Sequence, residues 1–188
     1  NEFIALASDI SFDYPVGGFY SGYYAMMVTR HMKEFGTTVE QMAHVSVKNH
    51  INAYHNPYSQ KRNRYTIADV RNAPMVAWPL TRLDICVMSD GAAAIVLADV
   101  ETALRLDKAV AFRSSAHVQD FLPMAKRDIL KFEGCTLAWK QALAQAGVAL
   151  PDLSFVETHD CFTIAELIEY EAMGLVGEGH GARAILDG

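Results

Sequence analysis

Between residues 134 and 174 the chain runs helix, turn, strand, tight turn, helix, and no other feature narrows the possible folds as much. Leu137, Ala138, Ala142, Leu143 and Ala146 fall on one helical face, with Gly147 placed to end that helix. Leu150-Pro151-Asp152 reads as a turn and Leu153 to Glu157 as a strand. His159-Asp160-Cys161-Phe162 then leads into a helix ending at Gly174. Such a unit belongs to an α/β fold, whose ligand site is expected at the carboxyl end of the strand.

Two more strands are predicted upstream. Ser89-Asp90-Gly91 precedes the small apolar run Ala92-Ala93-Ala94-Ile95-Val96-Leu97-Ala98, which reads as a strand covered on both faces. A second is placed at 109–117. The first third is helical instead. Tyr20, Tyr23, Tyr24, Met27 and Val28 recur at helical spacing from Phe19 to Phe35, closed by Gly36. Thr37 with Glu40 predicts a capping box opening a helix to about Tyr54, which Asn56-Pro57 stops. Thr66 is placed to cap a short helix through Ala73.

The 188 residues are 51% hydrophobic and 20% charged. A compact chain of 20.8 kDa exposes roughly 8,900 Å², so a sizeable core is available and disorder is excluded. A net charge of −6 argues against nucleic acid or an anionic membrane as main partner. No apolar run reaches the roughly 18 residues of a membrane span. Cys86, Cys135 and Cys161 are odd in number and widely spaced, so they read as reduced thiols in an intracellular protein. No His/Cys/Asp cluster has zinc spacing, and no metal is expected. Asn1 at the start and Asp187-Gly188 at the end suggest part of a longer chain.

His159-Asp160-Cys161 is the sharpest chemical feature. With Asp160 as helix cap, Cys161 would sit in the first turn, where the helix dipole lowers a thiol's pKa toward neutrality. A thiol so placed can exchange protons, and an imidazole beside it can donate to a developing oxyanion. The same three residues also fit a plain helix cap, a small core thiol and a surface imidazole.

The chain resembles the thiolase family. His159-Asp160-Cys161-Phe162, followed by Glu166-Leu167 and Tyr170-Glu171-Ala172-Met173-Gly174-Leu175, is similar to the sterol-carrier-protein-type thiolases. Lys48-Asn49-His50, Asn56-Pro57-Tyr58-Ser59-Gln60, Ser89-Asp90-Gly91-Ala92-Ala93-Ala94, Gly177-Glu178-Gly179 and Gly181-Ala182 match in the same order. The resemblance implies an α/β fold of five layers, αβαβα, in two halves. Here it would be a fragment: a mostly helical loop domain at 1–83, the last strand of the N-terminal half at 84–105, and the first part of the C-terminal half from 106 to 188.

It also implies acyl transfer on coenzyme A thioesters, by thiolysis of a 3-oxoacyl-CoA or the reverse condensation. The acylated cysteine of the family and its Gly-His-Pro motif have no counterpart here. Carried over, His159 would help form the oxyanion hole and Cys161 would move the proton at the α-carbon. Cys86 falls where family members touch the pantetheine arm, although a structural thiol explains it as well. Arg62 and Arg64, with Lys61 between Tyr58 and Tyr65, would meet coenzyme A phosphates, or form an ordinary solvated charge run. Coenzyme A would be a co-substrate, with no resident cofactor. The expected partners are acyl-CoA and a second copy in a homodimer, with no nucleic acid and no membrane span. The expected compartment is cytoplasmic, or peroxisomal in a eukaryote. Two alternatives are a thiolase-like retro-aldolase acting on steroid or acyl-CoA side chains and a non-catalytic acyl-CoA-binding subunit.

Overall fold

The computed structural model of this chain describes residues 8–121 and 124–187. Helix α1 (Tyr20–Phe35) forms over the predicted span and buries Ala25, Met27, Val28 and His31. Gly36 ends it at φ 75°, its N–H donating to Met32 O. Helix α2 (Val39–His55) follows at once, but its cap is Thr38 rather than Thr37. Thr38 Oγ1 accepts from the Gln41 N–H at 3.2 Å, and Gln41 Oε1 accepts from the Thr38 N–H at 2.9 Å. Thr37 and Glu40 offer the same pattern one residue earlier. The buried Thr37 hydroxyl is instead engaged with His31 Nδ1 at 2.7 Å, so the second box forms.

Helix α3 (Ile67–Asn72) has the predicted Thr66 cap, closed by Asp69. Strands β1 (Met75–Ala77) and β2 (Leu80–Thr81) form a small antiparallel hairpin around the cis Trp78-Pro79 bond. After the short helix α4 (Val100–Ala103) come α5 (Glu133–Ala146), closed by Gly147, then α6 (Thr163–Ala172) and α7 (Gly181–Leu186). The core lies where α1, α2, β2 and α6 meet. Val28, Met42, Val45, Leu80, Ile164, Leu167 and Ile168 fill it, each side chain worth about 1.5–3 kcal/mol on burial. Helix α6 runs through this core and carries the sequence motif at its start.

The three predicted strands are not formed. Residues 86–99, 109–117 and 153–157 carry no assigned strand, and every residue from 86 to 102 is exposed. Ile95 is 75%, Val96 94% and Val110 96% accessible. A strand apolar on both faces is stable only between hydrogen-bonded neighbours and under covering layers, and the described residues supply neither.

Candidate active site

The turn before α6 differs from its sequence reading. The residue capping α6 is Phe162, in extended geometry at φ −141° and ψ 146°, with no side-chain cap. Phe162 is pinned on two sides. Its ring stacks on Tyr24 with centroids 4.0 Å apart, and its backbone bridges antiparallel to Ile85. The Cys86 N–H donates to Cys161 O at 3.1 Å in the same bridge. Asp160 therefore stands two residues ahead of the cap, and its carboxylate accepts from Asn49 Nδ2 at 2.6 Å instead.

Cys161 lies outside the first turn of α6, so the dipole argument for a lowered thiol pKa fails. Burial pushes the Cys161 thiol up, the neighbouring Cys86 and Glu169 add to the rise, and the Tyr24 hydroxyl opposes it. The thiol donates to Tyr24 Oη at 3.2 Å. Burial, followed by Cys161, raises the Tyr24 phenol well above its usual range. At neutral pH this is a protonated pair, suited to giving a proton rather than taking one. His159 is exposed beside it.

Beneath the turn lies a polar network joining α2 to α6. Glu166, 1% accessible, is ion-paired with Lys48 Nζ and accepts from the Tyr170 hydroxyl. Lys48 Nζ also donates to Tyr170 Oη at 3.1 Å. The Asn49 Nδ2 that reaches Asp160 also donates to Glu166 Oε2 at 2.6 Å. Burial raises the Asp160 carboxyl, and the Asn49 bond works against it. Glu169, on the next turn of α6, is pushed up to about 7, first by burial and then by Glu166. A second buried carboxylate anchors the start of the helix. Asp84 accepts from the Thr163 hydroxyl at 3.0 Å and from both the N–H and hydroxyl of Thr81 at 2.8 Å.

Between α2, α3 and this turn opens a cleft of about 650 Å³. Its lining includes Asn49, His50, Lys61, Tyr65, Arg82, Cys86 and Asp160. Of the residues singled out from the sequence, Lys61, Tyr65, Cys86 and Asp160 face the cleft, whereas Arg62, Arg64, His159 and Cys161 are outside that lining. Arg62 donates through Nε and Nη2 to Tyr54 O, at 3.2 and 3.0 Å, and so caps the carboxyl end of α2. Arg64 lies over the Tyr54 ring, 4.3 Å from its centroid. The cations that the structure sets on the cleft wall are Lys61 and Arg82. Among the described residues no His/Cys/Asp/Glu group is arranged to hold a metal, and no helix is long and apolar enough to cross a membrane.

The sequence assigns Asn49, Glu166 and Tyr170 no site role, and Tyr24 enters it only within the aromatic set of α1, which could pack the core or line an acyl tunnel. Lys48-Asn49, Glu166 and Tyr170 carry part of the family resemblance, but nothing local assigns them a role. Only the packing of α2 on α6 brings them to one place.

A family model described as thiolase C-terminal domain-like matches residues 115–188. Across 98% of its length the chain is 40% identical to an acetyl-CoA acetyltransferase of Methanothermobacter thermautotrophicus, covering 49% of that protein. Along nearly its whole length the chain is therefore similar to thiolases. It is also 36% identical to benzoylsuccinyl-CoA thiolase subunit BbsB of Thauera aromatica, over 92% of this chain and 45% of that one. Human sterol carrier protein 2 matches 82% of the chain at 36% identity, covering 30% of that protein. Among solved structures, the Ltp2-ChsH2(DUF35) aldolase superposes with a TM-score of 0.89 at 27% identity, over 98% of this chain and 50% of that chain. The fold is thus thiolase-like, as the motif implied. The chain spans about half the length of the first two curated relatives.

Proposed function

We propose that this chain is part of a thiolase-type enzyme that cleaves 3-oxoacyl-CoA by thiolysis or condenses acyl-CoA units. The observation that carries the reading is the turn 159–161, with an exposed imidazole and a half-buried protonated thiol beside a cleft with cationic side chains on its wall. In thiolysis a cysteine outside this segment attacks the 3-keto carbon, and the bond between the α-carbon and that carbon breaks. The departing acyl-CoA enolate takes its proton from Cys161, while the His159 N–H stabilises the thioester oxygen. The thiol of coenzyme A then releases the acyl group from the nucleophilic cysteine. A thiol kept protonated by burial fits the proton-donating direction.

Lys61 and Arg82 are assigned to the phosphates of coenzyme A and Cys86 to the pantetheine arm. Arg62 and Arg64 stand behind them at the end of α2, stiffening the wall. A homodimer and a cytoplasmic or peroxisomal setting complete the proposal.

The test is a thiolysis assay of the full-length protein on acetoacetyl-CoA. Cys161→Ala and His159→Ala should each lower kcat by about 10²–10³-fold; wild-type turnover in both would overturn the assignment. A second reading, retro-aldol cleavage, is favoured by the structural neighbour's being an aldolase and by the phenol of Tyr24 on the thiol. Cleavage of a 3-hydroxyacyl-CoA without added coenzyme A would select it, because thiolysis requires coenzyme A.

A further inference from the structure

We infer that Asn49 is a positioning residue: its side-chain amide holds the turn 159–161 in place from the opposite helix and so sets where His159 and Cys161 stand. The inference rests on the site proposed above, and its test is chosen to separate the two. Asn49 Nδ2 has two hydrogens, and two carboxylates from different parts of the chain take them, Asp160 Oδ2 and Glu166 Oε2, each at 2.6 Å. Nothing is left over on that nitrogen. Both bonds are to carboxylates, which makes them short and strong.

The backbone behind Asn49 is fixed. Met42 and Val45, earlier on α2, are fully packed in the core against α6. The two carboxylates repel each other, and the groups facing them are Lys48 from α2, Tyr170 and Glu169 from α6, and the Asn49 amide itself. Lys48 neutralises Glu166, and Asp160 takes the Asn49 amide. Asp160 lies between His159, whose backbone meets Glu169 of α6, and Cys161, whose carbonyl accepts from the Cys86 N–H; the Asn49 amide adds the tie from α2 between those two. Freed from Asn49, Asp160 loses its tie to α2, and the side chains of the turn are no longer held at a fixed distance from that helix.

The experiment uses the full-length protein with Asn49→Ala, Asn49→Gln and Asn49→Asp, each checked for folding by near-ultraviolet circular dichroism. Cys161 reactivity is read as its iodoacetamide alkylation rate, mapped by mass spectrometry with Cys135 as internal reference. Asn49→Ala should change the Cys161 rate by about tenfold while Cys135 is unchanged. It should lower kcat by up to about 10²-fold, the scale of a 1 Å misplacement, and change KM for acyl-CoA by less than kcat. Asn49→Asp adds a carboxylate to the cluster, so its defect should exceed that of Asn49→Ala at pH 8 and shrink toward pH 6. Should the alanine variant fail to fold, Asn49→Gln, which keeps the amide and shifts it by a methylene, decides by the same readouts. An unchanged Cys161 rate and kcat in the folded variants overturns the inference. A changed Cys161 rate, with activity surviving Cys161→Ala and His159→Ala, upholds the positioning and removes the catalytic reading instead.

Discussion

At Glu169, one side-chain oxygen is buried without a hydrogen-bond partner while Glu166 stands one turn of α6 away. Its folded pKa of about 7 lies above the ordinary 4.5, so the folded state holds this proton more tightly than the unfolded chain. Its contribution to stability is therefore complete below pH 4.5 and lost as pH rises through about 7. Glu169→Gln should melt higher than wild type at pH 8, with the difference disappearing near pH 4; thermal melts across that range check it. The same environment explains what could be read at this scale. His159 and Cys161 announce themselves by chemical type beside a helix start. Asn49 and Glu166 do not, because an amide and a carboxylate 117 positions apart acquire meaning only when α2 lies on α6. The thiol of Cys161 differs from its sequence expectation because Phe162, stacked on Tyr24, takes the capping position that the sequence gives to Asp160.

Among the elements, α7 depends on α6 through close backbone approach. A Cβ on Gly181 would lie 2.2 Å from Leu167 O, a main-chain atom in the buried centre of α6. The Gly181 N–H also donates to Glu171 at 2.8 Å, and Glu171 faces His31 of α1. Gly181→Ala should cost about 1–3 kcal/mol by overpacking, seen as a lower denaturation midpoint with an unchanged slope. Helices α1, α2, α3 and α5 were legible because their periodicity and caps are local: Gly36, Thr66 and Gly147 stand where the sequence places them. The capping box of α2 slipped by one residue, since Thr37 and Thr38 satisfy one pattern and the contact with His31 chooses between them. The strands differ from their sequence pattern for the opposite reason. A helix closes its own hydrogen bonds, whereas the run 92–98 requires neighbours that its composition cannot name.

For the molecule as a whole, the accessible surface is 12978 Å², against roughly 8,900 Å² for a compact protein of this mass. Much of the excess is apolar, with Ile95, Val96, Val110, Phe112 and Phe155 all at least 75% accessible. Surface of that kind marks an interface or an association hazard. Produced as these 188 residues alone, the chain should bind hydrophobic dyes and exchange the amides of 92–97 at nearly free-chain rates. In the full-length protein those amides should be protected, and hydrogen-exchange mass spectrometry compares the two. The buried Asp84 carries a different consequence. By gripping Thr81 and Thr163 together it welds one bank of the cleft into a single block. Losing that one carboxylate would therefore slacken the hairpin end and the first turn of α6 together, two places 82 positions apart in the chain.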